Sequence, residues 1–237
     1  TKRVPQMFTR NLTVSAIIPF LLAFLVAISA VVAEDALQIG SRLELFTDSH
    51  LIDKIDGSVE LQVQQPVPKG VSLVADKPWE GNTSAYFTVF QDDDKYRMYY
   101  RGSHWLVDEE KAAHREVTCY AESSDGITWT KPELGLYEFD GSKKNNIVWN
   151  GPGTHCFTPF KDTNPNCKPE ARYKALTADY RDGKRGLLAL QSRDGIHWKL
   201  IQDEHVITEG YFDSQNLAFW DSNRMLYVDY HRTFING

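Results

Sequence analysis

Short apolar segments separated by turn residues recur along the chain beyond residue 43, and this pattern predicts β-strands. Residues 43–46 and 59–63 alternate apolar and polar side chains, as a strand with one covered face does. Residues 85–90 form a continuous apolar run, which is typical of an inner strand covered on both faces. Because no long helical period interrupts the pattern, the sequence predicts an all-β protein.

One turn motif occurs twice. The segment SSDGITW at 123–129 is followed, 69 residues further along, by SRDGIHW at 192–198, with five of seven positions identical. Asp-Gly closes a tight hairpin because glycine adopts a positive φ angle without steric cost, and the Ile and Trp begin the outgoing strand. Two unrelated hairpins would share the motif less closely, so the spacing favours a repeated supersecondary unit.

The strands around the two motifs follow the same order. The first unit has four strands in an antiparallel meander between about residues 85 and 131, the second spans 155–201, and a third opens at 213–220 and returns through 225–230. Tandem meanders of this kind are the blades of a β-propeller. A β-sandwich is the structural alternative, although it does not predict hairpins that recur at this spacing.

The beginning of the chain has the layout of a secretory signal peptide. A basic segment precedes a nearly uninterrupted apolar run at 12–32, and small residues then end at Ala33. We therefore expect residues 1–33 to be removed and residues 34–237, the partial propeller domain, to be exported to the periplasm or the extracellular space. The apolar run is also long enough to cross a bilayer, so an uncleaved membrane anchor is the alternative. A membrane is expected as a partner only in that case.

Charge and composition limit the function. The net charge is −6 and no basic block lies beyond the extreme N-terminus, so nucleic acid is not expected as a partner. No CxxC or HExxH spacing occurs in the sequence, and neither a metal nor a cofactor is expected.

The cysteines bear on the redox state of the protein, because two of them can pair in an oxidising compartment. Cys156 and Cys167 flank a predicted turn at 161–166 and are candidates for a disulfide between its two strands. Cys119 lies in an alternating stretch and is expected to be buried.

Several motifs resemble the five-bladed β-propeller glycoside hydrolases, the clan of families 32, 43 and 68. The segments DKPWE at 76–80 and FQDDDKYRMYY at 90–100 look like the first blade of that clan, and the Ser-x-Asp-Gly-x-x-Trp hairpins are similar to those of its later blades. The segments NNIV at 145–148 and FDSQN at 212–216 are similar to an exported, family-32-like branch. The resemblance implies a ring of five blades, of which this sequence, as a fragment, carries about two and a half.

The hairpin motif is also similar to the sialidase Asp-box, which has one residue between Asp and Gly. Here Asp125 and Asp194 are each followed directly by glycine, so a six-bladed sialidase is the weaker match. Both aspartates are expected to form turns rather than to act in catalysis.

The catalytic carboxylates depart from the pattern of the clan. Glycoside hydrolysis needs two carboxyl groups across the scissile bond, one as general acid and the other as base or nucleophile. The clan takes one carboxylate from each of its first three inner strands, and the aligned positions here are Tyr86, Cys156 and Gln215, none of which is acidic. We therefore select the nearby acids Asp213 and Glu80 as the catalytic pair.

Other polar and aromatic side chains near the starts of the inner strands are expected to bind the sugar. These residues are His155, Gln215, Asn216, Asn82, Tyr86 and Trp79. The predicted function is a secreted glycoside hydrolase that acts on an oligosaccharide or polysaccharide. Because the clan carboxylates are missing, a non-catalytic carbohydrate-binding propeller is the alternative, and an exported scaffold without a ligand is the third.

N-terminal sequencing of the secreted protein is expected to begin at Glu34, because signal peptidase cuts after small residues such as those that end at Ala33. A mature N-terminus before Ala30 would contradict this cleavage. A membrane-bound protein with an intact N-terminus would establish the anchor instead.

Overall fold

The computed structural model describes residues 37–181 and 183–234 of the chain. The predicted signal peptide, residues 1–33, lies outside the described residues. The chain divides into two compact units, Thr1–Pro66 and Val67–Gly237. All the strands found among the described residues belong to the second unit.

The described part of the first unit contains turns and bends but no strand. Leu43 and Leu45 are largely exposed, and the strands predicted at 43–46 and 59–63 are wrong. Alternation of apolar and polar residues is compatible with a strand, but a strand is stable only where a neighbour accepts its backbone hydrogen bonds. Neither segment pairs with another among the described residues.

The regular secondary structure described in the second unit is almost entirely β-strand, and the prediction of an all-β protein is confirmed. The one helical segment among the described residues is the 3₁₀ turn Pro169–Ala171. The strands in chain order are β1 (Ala85–Asp92), β2 (Lys95–Gly102), β3 (Trp105–Leu106), β4 (Lys111–Ala112), β5 (Val117–Ser123), β6 (Ile147–Trp149), β7 (Thr158–Lys161), β8 (Tyr173–Arg181), β9 (Lys184–Ser192), β10 (Trp198–Leu200), β11 (Leu217–Asp221) and β12 (Leu226–Tyr230).

These strands form antiparallel sheets that repeat along the chain. The first sheet has the order β1-β2-β5-β6, the second has the order β7-β8-β9-β10, and the third consists of β11 and β12. Strands β3 and β4 form a separate short ribbon. Strand β7 contacts both β1 and β11, so the first strands of the three larger sheets are neighbours.

The fourth strand of the first sheet differs from the prediction, which places it at 128–130. Thr130 makes only an isolated bridge to Glu122, with two backbone hydrogen bonds of 2.9 Å. The strand that completes the sheet is β6, which aligns Trp149 with Thr118 of β5. The first Asp-Gly hairpin therefore closes as expected, but the segment that follows its turn does not continue as a strand of the sheet.

Strand β1 lies at the edge of its sheet, and this position changes its burial. Phe87 is 44% exposed and Val89 is 49% exposed, so the prediction of a strand covered on both faces is wrong for residues 85–90. The covered strands are β2 and β5, whose central side chains are buried on both faces. They lie in the middle of the sheet with an apolar cluster on each side.

The main apolar cluster lies between the first and second sheets. Tyr99 and Tyr120 of the first sheet meet Trp198 of the second and Phe157, the residue just before β7. The Trp198 ring stands edge-on to Tyr99, with centroids 6.1 Å apart, and to Phe157, with centroids 5.0 Å apart. Edge-to-face packing of buried rings stabilises the contact beyond the burial of their area.

Both Asp-Gly motifs form hairpin turns, and the turn-forming role predicted for their aspartates is confirmed. Asp125 Oδ1 accepts hydrogen bonds from the backbone N–H groups of Ile127 at 2.8 Å and Thr128 at 2.7 Å. Asp194 Oδ1 accepts the equivalent pair at 2.9 and 2.8 Å. The backbone donors hold the pKa of Asp125 well below its usual value, so this carboxylate stays charged.

The second hairpin also packs against the first sheet. The Tyr99 hydroxyl donates a hydrogen bond to the Gly195 carbonyl at 2.8 Å. A Cβ atom on Gly195 would lie 2.8 Å from both Arg97 Nη1 and the Tyr99 hydroxyl. At Gly126, the equivalent position, the nearest atoms would belong to the Tyr96 ring at 3.5 Å, an ordinary contact. Packing therefore requires a glycine only in the second hairpin.

The three cysteines are free thiols, so the disulfide considered between Cys156 and Cys167 is wrong. Each of these two thiols has its own partner. Cys156 Sγ is fully buried 3.6 Å from the Asn216 amide nitrogen, and Cys167 Sγ lies 3.3 Å from Lys174 Nζ. Cys119 is buried, as the sequence predicts.

Gly195→Ala is expected to lower the free energy of unfolding by about 2–4 kcal/mol, because it adds a buried overlap to the strain of a left-handed backbone. Gly126→Ala is the matched control, since it carries the backbone strain without the overlap, and it is expected to lose about 1–2 kcal/mol. Urea denaturation measures both values. Equal losses in the two variants would contradict the packing role of the second hairpin.

Candidate functional site

The starts of the innermost strands converge at one place. The Tyr86 ring lies 5.2 Å from the His155 ring, and the Tyr86 hydroxyl donates a hydrogen bond to the Asp213 carbonyl at 3.3 Å. Tyr86 lies at the start of β1, His155 just before β7 and Asp213 before β11. The structure thus brings together three of the predicted site residues from distant parts of the chain.

Tyr86 reaches this position because β1 is irregular at its start. The φ angle of Tyr86 is +55°, and the pairing of β1 with β2 shifts between Ala85 and Thr88. An irregularity of this kind re-aims a side chain. A non-glycine residue in the left-handed region costs about 1 kcal/mol or more, which the surrounding contacts must offset.

A cleft of about 330 Å³ opens beside these residues. Its volume falls at the lower end of the range for small-molecule sites. Acidic and basic side chains share its walls, and they include Glu116, His155, Asp179, Arg185 and Asp213.

Two residues of the cleft wall, Glu116 and His155, form a cluster with Arg101. His155 Nδ1 lies 3.1 Å from both oxygens of the Glu116 carboxylate, and Arg101 Nη1 lies 3.5 Å from one of them. The Arg101 guanidinium also lies over the Tyr86 ring, with Cζ 5.0 Å from the centroid. Burial acts to raise the pKa of Glu116, but the hydrogen bond with His155 and the charge of Arg101 outweigh it, and the pKa is lowered. Glu116 is therefore an anion at neutral pH.

The other two carboxylates of the cleft are also paired with cations. Asp179 Oδ2 accepts a hydrogen bond from Arg181 Nε at 2.6 Å and lies 3.8 Å from His205 Nε2. The Asp213 side chain is 41% exposed and pairs with Arg232. Asp213 is thus the carboxylate of the three that a bound molecule reaches most easily, since the side chain of Asp179 is only 15% exposed and that of Glu116 29%.

Glu80, the other predicted catalytic acid, lies in a different environment. Its side chain is fully buried, and its Oε2 accepts hydrogen bonds from the Lys77 backbone at 2.9 Å and from Lys131 Nζ at 2.7 Å. The Tyr100 hydroxyl donates to its other carboxylate oxygen. Glu80 is not among the residues that line the cleft beside Asp213. The two acids of the predicted pair therefore do not share that cleft.

Trp79 and Asn82 hold the segment around Glu80 in place. Trp79 Nε1 donates to Asn146 Oδ1 at 2.6 Å, and Asn82 exchanges hydrogen bonds of 3.0 and 2.9 Å with the Trp105 backbone. Neither residue is among those that line the cleft.

Gln215 and Asn216 position the start of β11. Gln215 Nε2 donates to Thr88 Oγ1 at 3.0 Å and so links this segment to β1. Asn216 is fully buried and donates to the Ser214 carbonyl at 2.8 Å. These contacts fix the backbone next to Asp213, while the cleft itself is lined by other side chains.

Sequence reasoning misses Arg101, Glu116, Asp179 and Arg185. Each is a single charged residue within or beside a predicted strand, which is the one signal the sequence carries for them. A charge in a covered strand indicates either an ion pair or a site. Only the arrangement of the sheets shows that these four residues lie at the same end.

Two negative findings concern residues 37–181 and 183–234 alone. Within these ranges no helix has the length and apolar character needed to span a membrane. The same residues contain no group of three or more His, Cys, Asp and Glu side chains arranged to hold a metal ion.

No protein-family profile and no curated protein matches the chain. Similar solved structures include a fructofuranosidase variant from Schwanniomyces occidentalis complexed with fructosylnystose, with 13% identity, a TM-score of 0.41, and coverage of 68% of this chain and 33% of that chain. Another is a glycoside hydrolase with 13% identity, a TM-score of 0.40, and coverage of 64% and 47%. A glycosyl hydrolase from Bacteroides ovatus has 18% identity, a TM-score of 0.35, and coverage of 62% and 41%.

These matched structures are of the class that the sequence motifs resemble. The chain spans 33% to 47% of their length. At identities of 13% to 18% and TM-scores of 0.35 to 0.41, the likeness by itself defines neither the fold nor the activity of this protein.

Glu80→Gln is expected to lower the free energy of unfolding by about 3 kcal/mol or more, because it leaves the Lys131 ammonium without its buried counter-charge. Asp76→Asn is the matched control, since Asp76 is 55% exposed and pairs with the same Lys131 Nζ at 3.0 Å. We expect it to lose less than about 1 kcal/mol. Urea denaturation compares the two variants, and an unchanged stability of Glu80→Gln would show that the buried pair has no structural role.

Proposed function

We propose that this protein acts on glycans as a glycoside hydrolase and that the cleft beside Tyr86, His155 and Asp213 holds the sugar. The observation that carries this proposal is the convergence of three strand starts on a cleft with several carboxylates. Glycoside hydrolysis requires two carboxyl groups around the scissile bond. In a propeller, the converging ends of the inner strands are the usual location of a ligand site.

Two carboxylates of the cleft, Asp213 and Asp179, are proposed as the two carboxyl groups that glycoside hydrolysis requires. Asp213 is the first, because its exposed side chain can reach a bound substrate. Asp179 takes the place that the sequence suggests for Glu80, since Asp179 lines the same cleft and Glu80 is fully buried. His155 is 44% exposed and can exchange a hydrogen bond with a sugar hydroxyl. Export, which the apolar N-terminal segment predicts, would bring the protein to oligosaccharides or polysaccharides outside the cell.

A carbohydrate-binding propeller without turnover is the second candidate. It is favoured by the pairing of every cleft carboxylate with a cation. A general acid must hold a proton at the working pH, which requires a raised pKa. The pKa of Glu116 is lowered instead. Ionised carboxylates accept hydrogen bonds from sugar hydroxyls without transferring a proton, as a binding protein requires.

Asp213→Asn and Asp179→Asn are each expected to lower kcat at least about 100-fold on whichever glycan of a panel the wild-type protein hydrolyses, because each removes a carboxyl group that transfers a proton or attacks the sugar. Asp94→Asn is the matched control. Asp94 is exposed in the turn between β1 and β2, at the opposite end of β1 from Tyr86, so its activity should be unchanged. Release of reducing sugar measures the rates.

The outcomes separate the two candidates. Full activity in both Asp213→Asn and Asp179→Asn would refute the catalytic roles. Calorimetric affinity for a glycan without any release of product would establish the binding protein instead. If the protein shows no affinity for any glycan of the panel and hydrolyses none, both proposed functions are refuted.

A further inference from the structure

The cleft contains one cation without a partner. Arg185, the second residue of β9, lines the cleft and is exposed. Its guanidinium makes no hydrogen bond or ion pair within the part of the chain that the structure describes. A guanidinium that has no partner keeps all its N–H donors for a ligand.

Unlike Arg185, the carboxylates of the cleft wall are all paired. Each carboxylate on its wall has an arginine as its partner, namely Glu116 with Arg101, Asp179 with Arg181 and Asp213 with Arg232. Arg185 is therefore the charged residue of the lining that is left without an oppositely charged partner among the described residues. Its guanidinium favours an anionic group of a bound molecule over a neutral one.

The strand register explains how Arg185 reaches the cleft. Arg185 lies opposite Tyr180 on β8, and Lys184 lies opposite Arg181. Successive side chains of a strand point to opposite faces of the sheet. Tyr180 and Arg185 both line the cleft, whereas Lys184 is not among its lining residues. The hairpin thus contributes Arg185 to the cleft lining, while Lys184 lies outside that lining.

We propose that the cleft selects glycans that carry an anionic group, either a uronate carboxylate or a sulfate ester, and that Arg185 binds this group. The inference rests on the proposed glycan function and adds the substrate class to it. The planar guanidinium offers parallel N–H donors that match the oxygens of such a group, and these charge-assisted bonds are stronger than bonds to a neutral hydroxyl. A neutral sugar of the same shape would leave the donors to water.

The test is calorimetric titration of the full chain with two matched pairs of probes. The first pair is an oligogalacturonate and its carboxyl-reduced counterpart, and the second is a sulfated oligosaccharide and its desulfated counterpart. We expect the anionic member of one pair to bind at least about tenfold more tightly, as a charge-assisted hydrogen bond provides. The pair that shows this preference identifies the anionic group.

Arg185→Gln is expected to abolish the preference, because it removes the charge and the paired donors but keeps a polar side chain. Lys184→Gln is the matched control and should keep the preference, since it removes one positive charge from the same hairpin at a residue outside the cleft lining. Both positions are exposed, so neither change should affect folding.

Equal affinity for the two members of each pair would overturn the inference, as would a preference that Arg185→Gln leaves intact. If neutral glycans bind or are hydrolysed and the anionic probes do not bind, the anionic selectivity fails and the glycan function stands. If no glycan binds at all, both the anionic selectivity and the proposed glycan function are refuted.

Discussion

The packing of the first two sheets depends on one buried carboxylate, Asp92. Arg97 Nε donates to its Oδ2 at 2.5 Å, and the Tyr173 hydroxyl of the second sheet donates to the same oxygen at 2.7 Å. Lys161 Nζ of the second sheet lies 2.7 Å from the other oxygen. Burial acts to raise the pKa of Asp92, but the bonds from Lys161, Tyr173 and Arg97 outweigh it and lower the pKa to about 2. The two sheets therefore share the Asp92 carboxylate, which must stay ionised. Its directional hydrogen bonds define the orientation of one sheet against the other, whereas apolar contact alone is not directional.

This carboxylate lies at the far ends of the two strands whose starts form the cleft. Asp92 ends β1 and Lys161 ends β7, while Tyr86 and His155 are in contact at the beginnings of the same strands. Strands β1 and β7 therefore run side by side in the same direction and are held at both ends. The positions of Tyr86 and His155 thus follow from the packing of sheets, which holds a site more firmly than a loop does.

The pairing of charges decides what the cleft can do. A carboxylate withdrawn from water is driven toward its neutral form unless a cation lies beside it. Glu116 lies beside Arg101 and His155 and its pKa is lowered, so it accepts hydrogen bonds rather than supplies a proton. Asp213 differs because both it and its partner Arg232 are substantially exposed. Solvent reaches this pair, and an exposed ion pair of this kind contributes little to stability.

Sequence by itself determines what depends on near neighbours along the chain. The all-β class, the two hairpin turns at Asp125 and Asp194, and the order of strands β7 to β10 follow from patterns within a few residues, because turn bonds and pleat alternation are local. The meeting of Tyr86, His155 and Asp213 follows from the repeated order of strands. What only the tertiary structure decides is which charges are buried and what pairs with them. Glu80 is a structural anion because Lys131, 51 residues away, and the Tyr100 hydroxyl enclose it. No local pattern carries that information, since burial and ion pairing are set by segments that only folding brings together.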